Sequence, residues 1–182
     1  HTMDWKTLSS KYLSKHIYFT AREDRCEMPN GQIVDPYFVV ELPVSVCAMA
    51  ITENNEVILL QQYRHPLKET ILEIPGGFVD KGESSGKAMA RELLEETGYE
   101  FSDIIFVAKV AANPGVLDNY TDLYVATGGK KVAAQHLDAS EEIEIKLFSL
   151  ETVRDMLMKN EFKQALHATC LFYAFNKLDS LK

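Results

Sequence analysis

The chain has 182 residues, 46 % hydrophobic and 25 % charged, which fits one globular domain with a real core, or one domain and a small appendage. Its 27 acidic and 19 basic side chains leave a formal charge of −8, arguing against non-specific binding to nucleic acid or to an acidic membrane. Cys26, Cys47 and Cys170 are odd in number and fit no metal spacing. With no signal-peptide pattern and no apolar run of membrane length, a reduced, cytoplasmic protein is expected. His1-Thr2 ahead of Met3 reads as a cloning remnant.

Residues 5–13 are short and amphipathic and are expected to make one or two helical turns. Residues 16–27 favour a strand, opened by Ile17, Tyr18 and Phe19. Pro29-Asn30-Gly31 is a turn signal, and residues 32–41 read as a second strand interrupted at Asp35-Pro36. Residues 1–42 therefore predict a β-hairpin subdomain, with the main domain over 43–182. Two strands cannot bury so many apolar side chains. The hairpin must pack on the main domain or on a second chain, and a homodimer built through it is expected.

Residues 44–52 and 56–63 form the next hairpin, turned at Glu53-Asn54-Asn55 and followed by Arg64-His65-Pro66. Residues 70–74 make a short strand leading into Pro75-Gly76-Gly77. A helix follows, capped at Ser84 or Ser85, rich in good helix formers and ended by Gly98. Residues 101–111 read as a strand broken by Asn113-Pro114-Gly115. Residues 120–126 read as another, with a turn at Gly128-Gly129, and 143–147 as a further strand. Ser149 opens a helix to about Lys159 with Leu150, Val153 and Leu157 on one face. Residues 165–178 are apolar nearly all round, the pattern of a buried terminal helix. Strands on both sides of a central helix, then terminal helices, predict a layered α/β domain with a mixed sheet.

The chemistry concentrates in residues 77–99. On a helix Glu92, Glu95 and Glu96 are related as i, i+3 and i+4 and share one face, while Met89, Ala90, Leu93 and Leu94 cover the other side. Three like charges repel, and a hard divalent cation removes that penalty, since carboxylate oxygens are the ligands magnesium and manganese prefer. Glu83 lies close enough in sequence to join them. Gly76 and Gly77 let backbone pass near a metal or phosphate. The competing reading is a solvated acidic helix.

Gly77, five residues, Glu83, seven residues, then Arg91-Glu92-Leu93-Leu94-Glu95-Glu96-Thr97-Gly98-Tyr99 resembles the box of the Nudix hydrolases at every fixed Gly, Glu and Arg. Tyr99 stands where that family usually has a bulky aliphatic. The resemblance implies an α/β/α sandwich with a mixed sheet from about residue 44 onward, and hydrolysis of a nucleoside diphosphate linked to another group. It implies Glu92 and Glu96 as the main ligands of Mg2+ (or Mn2+), completed by Glu95 and the Gly76 carbonyl, with Glu83 binding a further metal or orienting water. Arg91 reads as a structural partner whose fork holds a box carboxylate.

Pro114, sixteen residues after Gly98 (114 − 98), resembles the mark of the ADP-ribose pyrophosphatase branch. Gln61-Gln62-Tyr63-Arg64, Leu72-Glu73-Ile74-Pro75-Gly76-Gly77 and the N-terminal hairpin agree with that branch. In its dimeric members the hairpin is exchanged between subunits and helps build the adenosine site. Hydrolases of GDP-mannose and other nucleotide sugars share much of the pattern. Arg64 is the candidate for binding phosphate. Glu73 is a candidate for the ribose or for a strand-face salt bridge. Tyr18, Phe19, Tyr37 and Phe38 could stack on adenine or serve as packing. Related enzymes place a base on a late loop; here Asp138-Ala139-Ser140-Glu141-Glu142 occupies that region, with Glu141 the first candidate and Glu142 the second. Failing these, Glu83 or Glu95 would act with the metals. His65, His136 and His167 read as surface or packing residues. No Gly-x-Ser-x-Gly or P-loop pattern is present. A non-catalytic ligand-sensing module of the same fold is the alternative of another class, favoured by loss of box carboxylates; none is lost.

Overall fold

A computed structural model describes residues 2–16 and 19–180. Ile17 and Tyr18, two of the residues expected in the first strand, lie outside the described residues. The chain divides into two units, His1–Pro43 with Ala111–Asn119, and Val44–Val110 with Tyr120–Lys182.

The first unit is an antiparallel sheet of three strands, β1 (Lys6–His16), β2 (Phe19–Glu27) and β3 (Ile33–Glu41), in that order. The expected N-terminal helix is absent, and the hairpin is two-thirds of a larger sheet. Thr7, Ser9, Ser10 and Ser14 explain the difference, because their side chains compete for backbone hydrogen bonds and weaken a helix. Extended, this stretch pairs with β2 from Lys6 opposite Glu27 to His16 opposite Phe19. The turn at Pro29-Asn30-Gly31 forms as expected, with Gly31 at φ 82° donating to the Met28 carbonyl at 2.9 Å. Asp35-Pro36 does not end β3; a bulge between the Asp24 and Cys26 pairings absorbs it.

Residues 111–119 are stitched to β3. Val40 donates to the Val116 carbonyl at 2.8 Å and accepts from the Asp118 amide at 3.2 Å. Tyr37 Oη donates to the Gly115 carbonyl at 2.9 Å. Pro114 therefore sits in a loop that extends the N-terminal sheet.

The second unit holds β4 (Ser45–Thr52), β5 (Glu56–Arg64), β6 (Glu69–Glu73), β7 (Gly76–Phe78), α1 (Ser85–Thr97), β8 (Tyr99–Glu100), β9 (Asp103–Val110), β10 (Thr121–Lys131), β11 (Ile143–Ser149), α2 (Leu150–Met158) and α3 (Ala165–Asp179). The path β11-β5-β4-β10-β8 carries β6 on β5, β7 on β4 and β9 on β10. Only the β4–β10 ladder is parallel, so the sheet is mixed.

The two-residue period of β4 makes the layers. Val46, Ala48 and Ala50 pack with Ala88, Met89 and Leu93 of α1. Cys47, Met49 and Ile51 pack with Cys170, Leu171, Ala174 and Phe175 of α3 and Val153, Met156 and Leu157 of α2. The result is the α/β/α sandwich that the resemblance implied.

Two local expectations fail here. Gly128-Gly129 is not a turn: β10 continues to Lys131 through a bulge between Ala126 and Gly129, with Gly128 at φ 68°. The terminal helix α3 buries one side only, leaving Phe172 and Tyr173 exposed. Among the described residues no helix is long and apolar enough to cross a membrane.

Candidate active site

The acidic helix is anchored at both ends. Ser84 takes the N-cap position with extended backbone but no side-chain cap bond. Ser85 Oγ instead pairs with Tyr124 Oη at 2.6 Å, tying the helix to β10. At the other end Gly98, at φ 72°, donates to the Leu94 carbonyl at 2.8 Å. Tyr99 packs against the α1 face of the core, so an aromatic serves where an aliphatic is usual.

Arg91 organises the exposed side. Its Nε and Nη2 both donate to the Glu83 carboxylate at 3.1 Å, its Nη1 to Glu92 at 2.8 Å and to Glu95 at 3.1 Å, and its Nη2 also to the Phe78 carbonyl at 3.0 Å. One guanidinium thus holds three of the box carboxylates, the role expected for it. Its own pKa is raised, chiefly by the Glu83 bond, and the same bond from Arg91 lowers that of Glu83.

Glu96 lives differently. It is 8 % exposed and accepts from the Gly76 amide at 2.9 Å. Burial pushes its pKa up to about 8; the Gly76 bond opposes this, and the charges of Glu92, Glu141 and Glu73 add to it. Burial also raises Glu92, against the pull of Arg91. Close approach of backbone requires glycine at 76, and the Glu92 side chain crowds Gly77. A Cβ on Gly77 would overlap the Glu92 carboxylate, and one on Gly76 would overlap the Val46 carbonyl.

Among the described residues no three acidic, histidine or cysteine side chains converge as a ready ligand set, with Glu83, Glu92 and Glu95 drawn onto Arg91. The donors nevertheless suit a hard divalent cation. Glu92 and Glu96 are partly desolvated carboxylates beside side-chain-free backbone, and Glu96 holds a proton that a cation can replace.

Arg64 and Glu73 are joined, with Nε to Oε1 at 2.8 Å and Nη2 to Oε2 at 2.5 Å. Glu73 is buried, whereas the Arg64 side chain keeps 45 % of its surface. The salt bridge expected as one reading of Glu73 is formed. Arg64 feels the charges of Glu96 and Glu141.

Glu141 lies in the fields of Arg64, Glu92 and Glu96. Its Oε2 accepts from the Asp138 amide at 3.0 Å. Glu142 is exposed. Pro114 belongs to the other unit.

Three residues that meet the end of α1 were not picked out as site residues in the sequence. Gln135 Nε2 donates to the Glu96 carbonyl at 2.7 Å and to the Ile143 carbonyl at 3.3 Å. The His136 amide donates to the Glu95 carbonyl at 2.8 Å. Lys131 Nζ donates to the Thr97 carbonyl at 2.7 Å. These bonds satisfy the end of α1 and fasten to it the segment that carries Glu141. His167, expected as surface or packing, is buried and accepts from the Ile74 amide through Nδ1 at 3.3 Å. Burial lowers its pKa to about 4. Lys131 and Gln135 carried no local signal, because their partners Thr97 and Glu96 lie 34 and 39 residues away.

The family model for the NUDIX domain matches residues 41–169, and that for the nucleoside diphosphate sugar hydrolase N-terminal domain matches residues 5–40. A methanol dehydrogenase activator of Bacillus methanolicus is 36 % identical over 147 residues, covering 80 % of this chain and 79 % of that protein. An ADP-ribose pyrophosphatase of Bacillus subtilis is 30 % identical over 175 residues, covering 92 % and 94 %. A crystal structure described as an ADP compounds hydrolase superposes with a TM-score of 0.86 at 23 % identity, over 100 % of this chain and 98 % of that one, a likeness of fold.

Proposed function

This chain belongs to the Nudix hydrolase family, and on that premise we propose that it hydrolyses the pyrophosphate of ADP-ribose to AMP and ribose 5-phosphate with the aid of Mg2+ or Mn2+. What carries the choice of substrate is agreement along the whole chain: the acidic helix is intact, the N-terminal segment matches the sugar-hydrolase domain model, and a relative named ADP-ribose pyrophosphatase aligns over 92 % of the residues.

Glu92 and Glu96 would hold the cation, with Glu95 and the Gly76 carbonyl. Bound there, it supplies charge neutralisation for the pyrophosphate and a more acidic water. Arg91 keeps Glu83, Glu92 and Glu95 in place. Arg64, braced by Glu73, presents its exposed edge to phosphate oxygens. Glu141 accepts the proton of the attacking water as an oxygen–phosphorus bond forms and the bridging phosphorus–oxygen bond breaks; Glu142 stands second in that role. The three unpaired cysteines fit a reducing, cytoplasmic setting. The exposed apolar residues of the N-terminal sheet, Trp5, Leu8, Leu13, Phe19, Ile33 and Phe38, fit a homodimer interface. A monomer by light scattering at micromolar concentration would remove that part of the reading.

A substrate panel tests the rest. ADP-ribose, GDP-mannose and other nucleotide sugars are incubated with the protein and Mg2+, and the released monophosphates are detected through a coupled phosphatase. ADP-ribose should give the highest kcat/KM, and EDTA should abolish turnover. Preference for GDP-mannose would reassign the substrate. No turnover of any nucleotide sugar would favour the ligand-sensing alternative.

A further inference from the structure

Ile74 and Pro75 lie in the gap between β6 and β7, so the short strap leading to Gly76 lacks a ladder of its own. It is held at three points. The Ile74 amide donates to His167 Nδ1 at 3.3 Å, the Pro75 carbonyl accepts from the Ala48 amide at 3.0 Å, and the Gly76 amide donates to Glu96 at 2.9 Å. Two of these partners are side chains from opposite layers of the sandwich, α3 and α1. The Ile74 side chain is buried in the α3 core.

A buried imidazole among Cys170, Leu171 and Ala174 would be a poor filler, since a leucine packs there without a polar group to satisfy. What a leucine cannot do is accept from the orphaned Ile74 amide. With Nδ1 accepting, the ring proton sits on Nε2. We propose that His167 is a positioning residue of the hydrolase site: by holding Ile74 from behind, it fixes the Gly76 backbone against Glu96. This rests on the Nudix hydrolase reading, and it assigns a role to a residue outside the acidic box.

The test compares His167→Phe, which keeps a ring without an acceptor, with His167→Asn, whose Oδ1 can stand where Nδ1 stood. His167→Phe should lower kcat on ADP-ribose about tenfold or more, the scale of lost outer support, with KM within about threefold. His167→Asn should recover kcat to within about threefold of wild type. Amide hydrogen exchange at Ile74 and Gly76 is read alongside, without substrate: faster in His167→Phe, near wild type in His167→Asn. Equal losses in both variants would make His167 a packing residue and overturn the proposal, as would unchanged exchange in a folded His167→Phe. Should His167→Phe not fold, the wild-type Ile74 amide decides. Protection like that of the Met49 amide in β4 supports the bond, and exchange at loop rates overturns it. Because exchange needs no turnover, a failed substrate assignment and a failed role for His167 give different results.

Discussion

Two ends of one acidic cluster, on α1 and in the turn just before it, behave in opposite ways. At the outer end Arg91 gathers Glu83, Glu92 and Glu95, and its bond to Glu83 lowers that carboxyl below the ordinary range. At the inner end Glu96 is buried, meets a backbone amide, and is pushed up to about 8. Glu92 stands between them, raised by burial although Arg91 touches it. The residue type is the same throughout, so the difference is made by solvent and by one guanidinium. The outer end is held in shape by the guanidinium. The inner end keeps a proton near neutral pH, ready to give way to a divalent cation.

Removing the inner carboxylate should do the most damage. Glu96→Gln keeps an acceptor for the Gly76 amide and nearly the same volume, so it should fold, yet kcat should fall by about 10³-fold. Wild-type turnover in that variant would place the chemistry elsewhere. Glu141→Gln should lower kcat by about 10²-fold, the scale for losing a general base, with KM little changed. If both Glu141→Gln and Glu142→Gln keep near wild-type kcat, the loop does not carry the base.

The next effect appears in stability. Glu96 has its folded pKa raised from 4.5 to about 8, so its favourable contribution is complete below pH 4.5 and is lost as pH rises through about 8. In EDTA at pH 8, Glu96→Gln should therefore be more stable than wild type by about 4 kcal/mol, an advantage that vanishes toward pH 4.5. Urea melts across that range measure it. The smallest effect belongs to the outer end. Arg91→Lys keeps the charge but loses the fork, and should weaken activation by Mg2+ about tenfold. Unchanged activation would mean that Arg91 braces only Glu83 and the backbone.

What the sequence told in advance was what local spacing can tell. Glu92, Glu95 and Glu96 fall on one face because a helix has 3.6 residues per turn, and Gly98 ends that helix for a steric reason carried by one residue. The apolar run of strand length at residues 44–52 likewise foretold β4. β1 was misread because Trp5, Leu8, Tyr12 and Leu13 among serines fit no single period, and its extended form depends on β2. The Pro114 loop was read by its offset alone, since its bonds to Tyr37 and Leu42 span 78 and 76 residues. His167 looked like filler because its partner, the Ile74 amide, lies 93 residues away and is orphaned only by a gap between strands. Burial, which sets Glu96 apart from Glu83, has no local signature either.

The division of the cluster is tested most directly by counting protons. Calorimetric titration of Mg2+ into the metal-free protein at pH 7, repeated in buffers of different ionisation enthalpy, gives the number released on binding. With burial raising Glu96 to about 8, wild type should release about one proton and Glu96→Gln close to none. Binding with no proton release in wild type, or equal release in both, would contradict a protonated Glu96.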